Sequence, residues 1–312
     1  MPSRPLAAIR MSAALQPTVF SDGLLARLCA TVELGPLGAG TEILITGWGC
    51  PVISDETLDG LPKLRAVVHA AGTVKGHLRE AVWRRGIAVS SAADANAEPV
   101  ADYTLALIIL AGKRSFFYAR QYAAGRIHSL AHGTGDGNDG LTIGVVGASR
   151  IGRRVIERLE RLGYYRVLVS DPYVPGSIDL DDLCRQSNVV TLHAPALPST
   201  RHMIDDRRLG LMRDGTVLVN TARGSLVDTD ALVRHCAAGR IDAVLDVTDP
   251  EPLPAGHPLF DLPNVLVTPH IAGAQGRERL RLGEFAVAEV ERLVRGEPLL
   301  GAVLLENLGR LA

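Results

Sequence analysis

The chain has 312 residues, enough for roughly two domains, and its 47% hydrophobic and 21% charged residues are ordinary for a soluble globular protein. A formal net charge of −1, with no basic or acidic block, indicates neither nucleic acid nor an anionic membrane surface as a partner. The longest apolar run, Leu105 to Ala111, is far too short to span a bilayer, and the N-terminal stretch around Arg4 and Arg10 does not read as a secretory signal. In the first hundred residues, Glu42–Thr46, Ala66–Ala70 and Ile87–Val89 read as short strands with helices between them, a small α/β domain. Glu98–Arg114, preceded by Asn96, reads as a long helix crossing between domains, and polar Arg126–Gly140 as an exposed loop.

From Leu141 the pattern is regular. Leu141–Val146, Arg166–Ser170, Val189–Leu192, Val217–Val219, Ala243–Leu245 and Val265–Val267 are apolar runs that read as buried strands. Between them lie helical patterns at Ile151–Leu162 and Leu180–Gln186, and a helix capped by Asp228 with Gly239 just past its end. Repeated βα units with short connections predict a doubly wound parallel sheet. A last helix, about Gly276 to Arg295, is long enough to return to the first domain. Two such crossings would leave a hinged cleft.

Three phrases follow these strands: Asn220-Thr221-Ala222-Arg223-Gly224, Asp246 to Pro252, and Thr268-Pro269-His270-Ile271. They deliver Arg223, Glu251 and His270 to the carboxyl edge of the sheet, where open α/β sheets bind ligands. Taken singly, each has a plain structural reading as a surface charge or turn residue. As an ordered trio they suit reduction of a carbonyl beside a carboxylate. A guanidinium holds the substrate with two directed bonds, an imidazole that titrates near neutrality moves the proton, and a carboxylate orients the imidazole.

The turn Gly147-Ala148-Ser149-Arg150-Ile151-Gly152 after the first of these strands has the form of a dinucleotide fingerprint with Ser149 in place of the middle glycine. The serine either costs close approach to a pyrophosphate or donates to it. Asp171, at the end of the next strand, is placed to accept from ribose hydroxyls and to repel a 2′-phosphate, favouring NAD over NADP; its plain reading is the start of the Asp171-Pro172 turn.

On these residues the chain resembles the D-isomer-specific 2-hydroxyacid dehydrogenases over nearly its whole length, most strongly from Leu141 to Gly273. The stretch Asp246 to Pro254, with His257-Pro258-Leu259, looks most like the glyoxylate and hydroxypyruvate reductase branch. The resemblance implies a Rossmann NAD domain (102–273) and a smaller flavodoxin-like α/β substrate domain built from both termini (1–101 and 274–312). It also implies a homodimer through the NAD domains. In its terms, Ala71-Gly72-Thr73 is the substrate loop, whose amides hold the substrate carboxylate. Thr104, His193-Ala194-Pro195, Thr221, Ala222, Asp246, His270 and Gly273 line the NAD site. Asp102 stands where the family usually has Glu.

Trp48, in Gly47-Trp48-Gly49-Cys50, reads equally as pocket lining and as core. Two other readings keep the scaffold: an NAD(H)-binding regulatory or partner-binding protein, and a dehydrogenase of formate or phosphite type. Cys29, Cys50, Cys184 and Cys236 have no CxxC spacing and read as reduced thiols of a cytoplasmic protein. The nine histidines include no HExxH or similar ligand spacing, so no metal is expected.

Overall fold

A computed structural model describes residues 4–125 and 137–310, so most of the loop expected at 126–140 lies outside the described residues. The chain forms two compact units. The first comprises the described residues up to Ala97 and from Ala274 onward, the second Glu98–Gly273.

The first unit opens with β1 (Leu6–Arg10), α1 (Gln16–Val19), α2 (Asp22–Thr31), β2 (Glu33–Leu34) and β3 (Ile43–Thr46). It continues with α3 (Asp55–Asp59), β4 (Ala66–His69), α4 (Ala81–Arg84) and β5 (Ala88–Ser91). Ser21 and Ser54 cap α2 and α3 by accepting from the amides of Leu24 and Thr57. All five strands are parallel in the order β2-β1-β3-β4-β5, the flavodoxin-like order. The strands β1 and β2 escaped the sequence reading for physical reasons. The run Leu-Ala-Ala-Ile-Arg has one β-branched residue, and β2 is only two residues long.

Helix α5 (Ala93–Gly112) starts in the first unit and runs into the second. It begins a turn earlier than Glu98, with Pro99 inside it; the turn before the proline is already closed by the Asn96 amide donating to the Ala92 carbonyl at 2.9 Å. Arg114, at φ +48°, separates α5 from α6 (Ser115–Gly125), an element the sequence reading did not find.

The second unit then alternates β6 (Thr142–Val146), α7 (Arg150–Leu162), β7 (Arg166–Ser170), α8 (Leu180–Gln186), β8 (Val189–Leu192), α9 (Asp206–Leu211) and β9 (Thr216–Asn220). It ends with α10 (Thr229–Ala237), β10 (Ile241–Leu245) and β11 (Val265–Val267). These six strands are parallel in the order β11-β10-β9-β8-β6-β7, so the winding reverses between β6 and β8. The strands β6, β8, β9 and β10 are buried along their whole length. Helices cover both faces, which explains why they read as continuous apolar runs. Ile143, Val145, Val219 and Val244 pack under Val155 and Leu159 of α7 and Ile108 of α5. Val190, Leu192, Leu218 and Leu245 pack on Leu183, Leu209 and Leu232 from the opposite helices. Each such side chain contributes roughly 1.5–3 kcal/mol by leaving water.

Helix α11 (Arg279–Arg295), preceded by a 3-10 turn at Gly276–Glu278, belongs to the first unit and buries Ala286, Val287 and Val290 against Ile43, Ile45 and Val68. No helix among the described residues is long and apolar enough to cross a membrane.

Candidate cofactor and active site

Strand register aligns the second unit's candidate residues. Ser170 pairs with Val146, Val146 with Leu192, Leu192 with Asn220, Asn220 with Leu245, and Leu245 with Val267. These six residues form one row across the sheet. The residues that follow them are Asp171, Gly147, His193, Thr221, Asp246 and Thr268, so the motifs found in sequence occupy a single carboxyl edge. At about 4.8 Å per strand, β7 and β9 stand roughly 14 Å apart, a span suited to an extended dinucleotide.

The glycine turn at β6 is tight for measurable reasons. Gly147 sits at φ +91°, and a Cβ there would come 2.7 Å from the Ala194 amide nitrogen. A Cβ at Gly152 would lie 2.0 Å from the Gly147 carbonyl oxygen, so helix and strand approach more closely than any side chain allows. The Ser149 hydroxyl donates to the His193 carbonyl at 2.8 Å, tying the turn to the end of β8. No side chain caps α7, so its first amides remain available to an anion. Half-buried Arg150 and Ile151 begin that helix; the Arg150 carbonyl accepts from Arg154, and Ile151 packs on the core.

Asp171 is both a brace and a turn residue. One carboxylate oxygen accepts the Ala148 amide at 2.7 Å, the other the Tyr173 amide at 2.8 Å. Each oxygen keeps a lone pair for a ribose hydroxyl. His193 is buried, its Nε2 lies 3.0 Å from Thr191 Oγ1, and its Nδ1 is buried without a partner. Burial pushes the His193 pKa down to about 3, so the ring is neutral. Ala194 backs the glycine turn, and the Pro195 carbonyl accepts from Thr200 Oγ1 at 2.6 Å. The closely packed glycines and the orphaned buried imidazole nitrogen fit a dinucleotide site.

At the other end of the row, three loops interlock. Asn220 braces its own loop: Oδ1 accepts the Ala222 amide at 3.0 Å, and Nδ2 donates to the Arg223 carbonyl at 2.9 Å. A Cβ at Gly224 would fall 1.9 Å from the Thr248 carbonyl carbon. The loop carrying Arg223 therefore lies directly on the loop leading to Glu251. Arg223 is half-buried; burial lowers its pKa, and the Glu251 charge opposes that shift. One guanidinium nitrogen donates to the Ala222 carbonyl at 2.6 Å.

His270 has φ +54°, a left-handed conformation uncommon for a non-glycine residue and held here by its neighbours. Its amide donates to the Asp246 carbonyl at 2.9 Å. The Asp246 carboxylate, 1% exposed, accepts from Thr268 Oγ1 at 2.6 Å and from the amides of Ile271 and Ala272 at 2.8 Å each. Asp246 thus shapes the histidine loop, a role the sequence did not reveal. The half-buried Gly273 follows directly. His270 Nδ1 meets Glu251 Oε1 at 2.6 Å, with both side chains partly exposed. Thr104 is wholly buried and bonds Thr221 Oγ1 at 2.8 Å, so it lies behind Thr221 and presents no surface of its own. Asp102, with Glu98, pairs with Arg158 of α7. Among the described residues, no group of three or more His, Cys, Asp or Glu could hold a metal ion.

In the first unit, Ala71-Gly72-Thr73 follows β4. The Ala71 and Gly72 carbonyls accept from Ser91 Oγ, and Thr73 Oγ1 accepts the Lys75 amide at 3.2 Å. Half-buried Trp48 packs with Ala92, Ala274 and Leu282.

Residues 105–272 match the sequence model of the D-isomer specific 2-hydroxyacid dehydrogenase NAD-binding domain. The chain is 31% identical over 285 residues to a D-3-phosphoglycerate dehydrogenase of Methanocaldococcus jannaschii, covering 86% of this chain and 52% of that one. It therefore spans about half that relative's length. It is 34% identical over 259 residues to a glyoxylate reductase of Thermofilum pendens, covering 78% of this chain and 76% of that one. Among solved structures, D-lactate dehydrogenase of Aquifex aeolicus, complexed with NAD and lactic acid, gives a TM-score of 0.71 at 25% identity, covering 94% of this chain and 96% of that one.

Proposed function

Because the chain belongs to the D-isomer-specific 2-hydroxyacid dehydrogenases, we propose that it interconverts a 2-oxo acid and a D-2-hydroxy acid with NADH. The observation that carries this reading is the 2.6 Å Glu251–His270 pair on the sheet edge that also bears Arg223. Arg223 binds the substrate carboxylate and carbonyl oxygen, and its positive charge polarises the carbonyl. A bound nicotinamide supplies hydride exchange at the carbonyl carbon. Glu251 holds His270 Nδ1, so Nε2 is the nitrogen that gives a proton to the forming alkoxide and takes it back in the oxidation direction. The carboxylate fixes the ring's orientation and stabilises its protonated form.

The turn from Gly147 to Gly152 and the uncapped start of α7 are assigned to the pyrophosphate, and Asp171 to the adenosine ribose, where its charge favours NADH over NADPH. His193 to Pro195, Thr221, Ala222, Asp246 and Gly273 are assigned to the nicotinamide half. The loop Ala71-Gly72-Thr73 is assigned to the substrate carboxylate from its resemblance in sequence, with Trp48 beside the substrate. A homodimer through the second unit is supported by Leu110 of α5 and Tyr122 of α6, large apolar side chains left exposed; a monomer by light scattering would contradict it. A cytosolic location is supported by four free cysteines.

The test is NADH consumption with glyoxylate, hydroxypyruvate, pyruvate and bulkier 2-oxo acids, with NADPH in parallel and His270→Ala as control. Turnover that disappears in the control is the expected result. Tight NADH binding with no turnover on any 2-oxo acid would overturn the reading.

A further inference from the structure

The second sheet has a cavity at the edge opposite its motifs. Strands β6, β8 and β9 begin there, and with the end of α5 they frame a space of about 290 Å³. Ala111, Leu141, Val189 and Val217 give it apolar walls, and Arg114, Asn188 and Arg213 bring hydrogen-bond donors to it. Arg213 donates to the Gln186 carbonyl at 2.6 Å, and among the described residues no carboxylate pairs with it; neighbouring Asp214 is held by Arg240 at 2.7 Å. Asn188 Oδ1 accepts the Thr142 amide at 2.9 Å, so Nδ2, which can only donate, is the end left for a ligand. Arg114 is fixed in place. Its backbone is left-handed at φ +48°, its Nε donates to Asp242 at 3.2 Å, and its guanidinium lies 4.5 Å over the Phe117 ring. Non-glycine residues held in that conformation gather at ligand clamps. The partial negative charge at the end of α5 is answered from within the chain. The Ile109, Ala111 and Gly112 carbonyls accept from Asn138 Nδ2, the Arg114 amide and the Gly137 amide.

We propose that this cavity binds a small monocarboxylate, with Arg213 and Asn188 holding the carboxylate and the apolar walls taking a short alkyl chain. The charge balance selects the class. Asp242 offsets Arg114 and Arg240 offsets Asp214, which leaves Arg213 as the cation without a counter-ion among the described residues that line the cavity. A guanidinium fork meets a carboxylate with two directed bonds. A second negative charge on the ligand would face Asp214 with no cation left to match it. The volume is that of roughly ten waters at about 30 Å³ each, room for an acid of about six to eight non-hydrogen atoms. The cavity is distinct from the edge that carries Arg223. Strand β9 runs from Thr216 at the cavity to Asn220 before the Arg223 loop, four steps of about 3.3 Å. The proposal is therefore independent of the reaction assigned to that edge.

The test is calorimetric titration of the Arg223→Ala protein, whose catalytic edge has lost its own carboxylate partner. The probes are butyrate and, as its uncharged match in size, butyramide, at constant ionic strength. One site of millimolar affinity for butyrate is expected, with butyramide at least about tenfold weaker, because only the acid makes charge-assisted bonds. Adding Arg213→Gln should weaken butyrate binding by at least about tenfold. Asn188→Asp keeps the bond to the Thr142 amide but sets a like charge against the ligand, and should weaken it as much. If Arg223→Ala does not fold, the native protein is titrated with and without Arg213→Gln, and the difference between the two isotherms carries the test. Equal binding of butyrate and butyramide, a butyrate affinity unmoved by both cavity substitutions, or no binding of butyrate at all would overturn the proposal. Each of these results leaves the 2-oxo acid reading intact.

Discussion

His69 ends β4 and His270 follows β11 by three residues, so each unit places an imidazole at the carboxyl edge of a parallel sheet. Their surroundings are opposite. His69 is 4% exposed, bonded through Nδ1 to Thr46 Oγ1 at 2.8 Å, with its ring 4.8 Å from that of His77. Burial, aided by the His77 charge, pushes its pKa down to about 3. His270 is partly exposed, left-handed in backbone and paired with a carboxylate. A strand-end histidine therefore says little by itself. A group that exchanges protons needs access to substrate and a partner for its charged form; one that fills a core is held neutral.

The largest expected effect separates the two rings directly. His270→Ala should lower kcat by about 10²–10⁴-fold while leaving the melting temperature nearly unchanged. His69→Ala should do the reverse, lowering the melting temperature and leaving kcat within about threefold. If both variants lose turnover alike at full stability, the distinction fails. The same contrast applies to the glycines beside each edge. Gly224→Ala, whose Cβ would meet the Thr248 backbone at 1.9 Å, should lose at least about 2 kcal/mol in denaturant unfolding, with turnover falling as the loop shifts. Gly72→Ala meets only the Asn96 amide nitrogen at 3.3 Å, a side chain that can shift, and should lose less.

A smaller effect is expected at Asp171. Its replacement by Ala should narrow the NADH-over-NADPH preference about tenfold, read as the ratio of kcat/KM values. An unchanged ratio would leave Asp171 as a turn residue that braces Ala148. The smallest concerns pH. His69 and His193 both have pKa values lowered by burial to about 3. Below the ordinary histidine value of about 6.5, the unfolded chain binds protons that the folded chain refuses. Stability should therefore fall as pH drops through that window, by at most about 1.4 kcal/mol per pH unit for each ring. His69→Gln should flatten the dependence measured by urea midpoints between pH 7 and 5; parallel curves would contradict the buried, neutral state of His69.

The second unit was legible because its central strands are short, wholly buried and rich in Val, Leu and Ile, and because glycine turns and strand ends mark them clearly. The first unit was less so: β1 has little β-branched character, β2 is two residues long, and α5 begins at Ala93, a turn before the expected start at Glu98. At the site, the charged residues could be read from order and strand context. Their supports could not. The bonds from Asp246 to the loop after Thr268, and from Ser149 to the His193 carbonyl, join parts of the chain 22 to 44 residues apart. No local pattern encodes which backbone group a carboxylate or hydroxyl will meet. The clash that requires glycine at 224 likewise becomes visible only when two loops are packed.

The measurement that bears most directly on the central claim is a paired one on Arg223→Ala: turnover of a 2-oxo acid and equilibrium binding of NADH, in the same preparation. The expected result is a loss of kcat/KM of about 10³-fold or more, with the dissociation constant for NADH within about twofold of the native value. Loss of NADH binding with turnover intact at saturating cofactor would contradict it, and would move Arg223 from the substrate to the nucleotide.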